Sequence, residues 1–176
     1  MKGIKHSLLL LLLAFAIVSC TPQIKKDAAR IKVAEDELYD VDEGFVDRGK
    51  ALALVDMYES YADTYPDDSL SVEYLFNGAE ICLNLGEGQR SIDLYDRVIL
   101  EYPDFAKVPE SLFLKGYVYE NYLGDLEQAR IIYSLFLEKY PDNEFADDAA
   151  ISIQNLGKSP EELIKQFEEM EGSQEE

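Results

Sequence analysis

The sequence predicts an all-α fold built from antiparallel helix hairpins stacked one on the next, and three observations carry that expectation. The motif Tyr-x6-Tyr-Pro occurs three times, at Tyr58…Tyr65-Pro66, Tyr95…Tyr102-Pro103 and Tyr133…Tyr140-Pro141, each time followed by an acid (Asp67, Asp104, Asp142). The spacing from Pro66 to Pro103 matches that from Pro103 to Pro141 to within a single position, and Gly78 and Gly116 hold the same place ahead of Pro103 and Pro141. No stretch of the chain shows the period-two alternation of a half-buried strand.

The elements follow in order. Lys2 and Lys5 precede an unbroken apolar run, Leu8 to Val18, which ends at Ser19-Cys20. Such a run is too short for a hydrocarbon core of roughly 30 Å but suits the apolar region of a signal peptide, so residues 1–19 read as a removable targeting segment. Ile17-Val18-Ser19-Cys20 resembles the bacterial lipobox, with Ile where Leu is usual. That resemblance implies that Cys20 is lipidated and becomes the new N-terminus, with residues 20–25 as the lipid-bearing cysteine and its tether.

Helical spacing of Ala28, Ile31 and Leu38 predicts a helix over Lys26 to Tyr39, and the acidic, glycine-bearing Asp40 to Gly49 predicts a bend. Leu52 to Tyr65 is amphipathic, with Leu52, Val55, Tyr58 and Tyr65 on one face. It stops at Pro66 because a residue before proline is pushed away from helical geometry. Helices then follow over Leu70–Leu85, Gln89–Tyr102, Val108–Leu123, Asp125–Tyr140 and Glu144–Leu156. Gly86-Glu87-Gly88 and Leu123-Gly124-Asp125 form turns, Pro109 is tolerated in a first turn, and Gly157 closes the helix that ends at Leu156. Ser159-Pro160-Glu161-Glu162 opens a last helix with an N-cap serine and a glutamate three residues on. Its stripe of Leu163, Ile164, Phe167 and Met170 is expected to cap the exposed end of the stack. One repeat domain is therefore expected over 26–171, with a disordered acidic tail at 172–176.

Within a repeat, the glycine is expected to let two helices approach closely, and Ser91 or Ala129 serves that contact from the other helix. The aromatic four residues later fills space between hairpins. The third copy, Leu112-x2-Lys115-Gly116-x2-Tyr119…Ala129-x3-Tyr133…Pro141, and the second, Tyr74-x2-Asn77-Gly78-x2-Ile81…Ser91-x3-Tyr95…Pro103, resemble the tetratricopeptide repeat. The front Trp and Leu are replaced, and the period is longer than the usual one of about 34 residues. The resemblance covers about Leu52 to Leu156 and implies a right-handed superhelical stack that binds a partner on its concave face. The positions it assigns to that face are Leu75, Ala79 and Cys82 in one copy, and Phe113, Tyr117, Glu120 and Asn121 in the next. Tyr117 and Asn121 are the foremost candidates for partner contact. Cys20 followed by repeats with Tyr-Pro-Asp junctions is also similar to the lipoproteins related to the outer-membrane assembly family, which display repeats as a platform for other envelope proteins. Thr21 after the cysteine then implies delivery to the outer membrane, facing the periplasm.

Composition narrows the chemistry. Without residues 1–19 the chain keeps 14 basic against 36 acidic residues, a balance that repels phosphate backbones and argues against nucleic-acid partners. His6, the only histidine, leaves with the targeting segment, so no Ser-His-Asp or Cys-His arrangement can form. Zinc-site spacings and a phosphate loop are missing from the sequence, and Asp40-Val41-Asp42-Glu43-Gly44 lacks the terminal glutamate of a calcium loop. Cys82 reads as a small buried hydrophobe, without a disulfide partner once Cys20 carries lipid. Glu59, Asp63, Glu161 and Glu162 read as solvated carboxylates paired along their own helices. The expectation is a membrane-anchored, non-catalytic adaptor for another envelope protein. It has no catalytic or metal-binding residues, no cofactor beyond the lipid, and no small-molecule substrate. A carboxylate- or metal-dependent enzyme and a self-associating structural subunit stay open as rivals.

Overall fold

The computed structural model describes residues 22–39 and 46–172. The chain forms two compact units, residues 1–45 and 46–176, where the sequence reading runs a single repeat domain over 26–171. In the first unit α1 spans Gln23–Tyr39, beginning three residues before the expected Lys26. The targeting segment, Cys20 with its lipid, the acidic stretch 40–45 and the tail beyond Gly172 lie outside the described residues.

The second unit holds α2 (Arg48–Thr64), α3 (Ser69–Asn84), α4 (Gly88–Glu101), α5 (Val108–Val118), α6 (Leu126–Lys139), α7 (Ala146–Asn155) and α8 (Pro160–Gly172). No strand occurs among the described residues. From α2 to α7 each helix packs on the next, giving two complete hairpins, α3–α4 and α5–α6, flanked by half-hairpins α2 and α7. The expected bend does not reach Gly49. Asp47 caps α2 instead, its carboxylate accepting the Lys50 N–H at 2.9 Å, and Gly49 lies inside the helix. The helix expected over Val108–Leu123 is α-helical only to Val118; Tyr119–Leu123 widens into a π-turn.

The three Tyr-Pro junctions share one cap geometry. Tyr65, Tyr102 and Tyr140 are caps outside their helices, at φ/ψ of −130/56°, −131/59° and −134/54°. Each still donates its N–H four residues back, to Tyr61, Val98 and Phe136. Each carbonyl then accepts from three residues ahead, from Asp68, Phe105 and Asn143. The proline that follows forbids helical geometry at the tyrosine and removes the next donor. The helix therefore ends at the same point of the motif each time, and the next one begins three residues after Pro66 but five after Pro103 and Pro141. At the opposite ends of the hairpins, Gly86, Gly124 and Gly157 adopt φ of +75°, +64° and +80°, the left-handed cap that glycine takes without steric cost.

Tyr58, Tyr95 and Tyr133 are among the largest fully buried side chains. Tyr58 stacks on Tyr74 of the next hairpin at 4.8 Å between centroids, as the repeat reading expects. Tyr133 reaches Ser152 of the next hairpin and also lies over Gly116 inside its own, where a Cβ on Gly116 would meet the ring at 2.7 Å. Gly78, its counterpart, is looser. A Cβ there would sit 3.5 Å from Leu94 and Tyr58, ordinary van der Waals contact. Only one of the two glycines is therefore needed for close approach.

The last helix opens as its sequence predicts, with Ser159 N–H donating to Glu162 at 2.7 Å and Glu162 N–H donating to Ser159 Oγ at 3.2 Å. These bonds hold the Glu162 carboxyl below its ordinary value. Ile164, part of the expected capping stripe, is 58% exposed.

The glycine contrast gives a paired test by thermal unfolding. Gly78→Ala should raise the melting temperature, because alanine in a helix is favoured over glycine by about 1 kcal/mol. Gly116→Ala should lower it, because overpacking against a buried ring costs about 1–3 kcal/mol and outweighs that gain.

Candidate functional site

Among the described residues, the most exposed aromatic side chains of the repeat unit lie where α5 passes into the π-turn. Tyr117 is 39% and Tyr122 41% exposed, with ring centroids 6.1 Å apart, and Leu123 stands beside them 42% exposed. Asn121 is exposed, and its Nδ2 donates back to the Tyr117 carbonyl at 3.0 Å. The wider turn places Tyr122 and Leu123 over Gly88 at the start of α4. A Cβ on Gly88 would lie 3.1–3.3 Å from Leu123, Tyr122 and Val118, so the glycine makes room for them.

The structure divides the residues assigned to the concave face. Tyr117 and Asn121 are at the surface. Glu120 is half-buried and turned inward, accepting the Tyr133 hydroxyl at 2.8 Å. Phe113 is partly buried: it stacks on Phe145 at 4.9 Å and contacts Tyr133 and Phe136. Leu75, Ala79 and Cys82 are fully buried, because the second hairpin has neighbours on both sides and its core runs continuously into Val55 of α2 and Val108 and Val118 of α5. Leu75 is therefore closed to a partner, contrary to expectation, and Phe113 is only partly exposed. Burial also pushes the Cys82 thiol up to about 11, as befits an inert buried side chain. Sequence reasoning missed Tyr122 and Leu123; the signal available for them was Gly88.

Ion pairs absorb many of the basic residues nearby. Arg90 of α4 reaches back to Asp56, at 2.5 Å, and to Glu59 of α2; Arg97 reaches Asp63 at 2.8 Å and Glu101 at 2.9 Å. Arg48 pairs with Glu87, and Lys115 with Asp96, both at 2.5 Å. Glu59 and Asp63 thus bridge successive hairpins rather than pairing along their own helix. Each such pair is worth at most about 1 kcal/mol, so the ladder sets register more than it supplies stability. Between Val46 and Gly172 ten basic residues face 27 acidic ones, and the surface left over is acidic. Among the described residues no three His, Cys, Asp or Glu side chains are grouped to hold a metal ion.

Residues 110–143 match the tetratricopeptide repeat family. The match begins in the first turn of α5, takes in the π-turn and α6, and ends in the junction after Pro141. The stack is TPR-like. Repeats of this kind mediate binding to other proteins. No curated protein matches the chain.

The second and third copies place different groups beside equivalent tyrosines: Cys82 stands in the second copy where Glu120 stands in the third. The Tyr95 hydroxyl is buried without a well-formed hydrogen bond, with the Ser91 hydroxyl one turn back beside it. Tyr95→Phe should leave the melting temperature unchanged or higher. Tyr133→Phe should lower it by roughly 2–4 °C, the effect of losing a bond of about 1 kcal/mol in a domain of this size.

Burial raises the phenols of Tyr61, Tyr95, Tyr102 and Tyr133 above their ordinary value, Tyr61 to about 12. An acid held protonated by the fold stabilises it fully below its unfolded value, about pH 10, and that contribution is lost as pH rises through the folded values. Helical circular dichroism and tyrosinate absorbance should therefore change together in one alkaline transition. Complete tyrosinate formation with the helices intact would contradict this burial.

Proposed function

We propose that the chain is a lipid-anchored, non-catalytic adaptor of a bacterial envelope, holding another envelope protein against its TPR-like repeats. The observation that carries this reading is the exposed Tyr117–Asn121–Tyr122–Leu123 surface, on the very repeat that matches the family. Rigid aromatic side chains with a polar handle, placed on a packed element, are effective anchors for a partner. The cell-envelope location and the anchor are supported by the positive, apolar, Ser-Cys order of residues 1–20. Lipidation at Cys20 would supply more than one acyl chain, enough for stable anchoring where a single chain is marginal. The placement at the outer membrane, in its assembly or maintenance, is supported by the likeness of the Cys20 leader and Tyr-Pro-Asp junctions to that lipoprotein family and by Thr21.

Two measurements test it. Cys20→Ala should move a folded protein from the membrane to the soluble fraction, and unchanged membrane partition would remove the anchor from this reading. A photo-cross-linking residue at Tyr117 in intact cells should give a discrete adduct with a second envelope protein, lost on Tyr122→Ala, while the same probe at Asp104 gives none. Adducts only between copies of the chain would favour a self-associating subunit instead.

A further inference from the structure

The acidic chain has a local cluster of basic residues in the first three turns of α1. Lys25, Lys26, Arg30 and Lys32 fall in a short stretch that contains a single acid, Asp27. At 100° per residue, Ala29 and Val33 form the centre of one helix face, flanked by Lys25 and Lys32 on one side and by Lys26 and Arg30 on the other. The opposite face carries Ile24, Ala28, Ile31 and Leu38. All six residues of the basic face are exposed, Val33 by 56%. Asp36 engages Lys32 at 2.6 Å, and Asp27 lies 3.9 Å from Arg30. Lys25 and Lys26 therefore carry the charge that the helix itself leaves least compensated.

Their position is electrostatically unfavourable within the helix. The N-terminal end of a helix is positive and favours acids, yet the first turn of α1 has no acid and two lysines. In a chain with more than twice as many acids as bases, that placement calls for an external anion. An apolar strip between lysine and arginine stems is the pattern of a helix lying in a membrane interface, its stems spread over the acyl boundary and its charges at the headgroups.

We infer that the face of α1 formed by Lys25, Lys26, Ala29, Arg30, Lys32 and Val33 docks on anionic phospholipid headgroups. The inference rests on the lipid-anchor reading, since Cys20 lies three residues before Gln23 and an anchor there delivers this face to the bilayer. Attraction of the basic face to anionic headgroups acts within a Debye length of about 8 Å in physiological salt.

An environment-sensitive fluorophore on Val33→Cys tests the inference, since Cys82 is buried. The lipidated chain is reconstituted into vesicles of phosphatidylcholine alone or of phosphatidylcholine with phosphatidylglycerol. In parallel, the full chain bearing Cys20→Ala is held on the same vesicles by an N-terminal histidine tag and a nickel-chelating lipid. The expected result in both arms is a blue shift of emission on anionic vesicles, little on zwitterionic ones, and loss of the shift with Lys25→Glu and Lys26→Glu. The same probe on Asp142→Cys should not shift. Equal emission on both vesicles, or a shift that survives charge reversal, overturns the inference. If the lipidated preparation fails to float with vesicles the anchor reading falls, and the tagged arm still decides this one.

Discussion

Everything in the repeat unit depends on a backbone constraint imposed by proline. Three tyrosines are held at nearly the same non-helical φ/ψ because each precedes a proline. Each helix therefore ends at the same point of its motif. A helix hairpin cannot shield its apolar side alone, so a fixed helix end brings the next hairpin in to continue the core. The buried residues follow suit, running from Val55 through Leu75, Tyr95 and Val118, with a second cluster around Tyr133 and Phe136.

On this frame, packing and charge divide the work. Burying large side chains such as Tyr58, Phe76 and Phe136 supplies most of the stabilisation, on the order of 1.5–3 kcal/mol for each fully buried hydrophobe. The Arg90 and Arg97 pairs with α2 add little free energy apiece. They meet at one sliding position of α4 along α2, however, so they select a register that the apolar surfaces alone leave less sharply defined.

The architecture was legible in the sequence because its determinants are local. A proline two turns after a buried tyrosine, a glycine past a helix end and a serine three residues before a glutamate act on their own backbone. The positions that depend on neighbours were not. Leu75 and Phe113 follow the spacing of a concave face, but exposure depends on what lies over a residue, and one is covered by core while the other stacks on Phe145. Glu59 and Asp63 have suitable spacing for bonds along their helix, yet their arginines come from the far side of the following hairpin. The π-turn has no one-residue signature in the chain. Gly88 is its trace, visible as such only once Tyr122 is seen above it.

That contact has a counterpart one repeat later. Where the second hairpin offers Gly88 to the bulk of Tyr122 and Leu123, the third offers Leu126 at the equivalent position, and the chain that meets it presents Gly157. Small against large is followed by large against small, so each layer is shaped for one successor. The array is consequently not modular: duplicating or exchanging hairpins, which many repeat proteins accept, would set Leu126 against Tyr122 and Leu123. Length in this protein is written into its seams, and lengthening it requires recutting both sides of a joint.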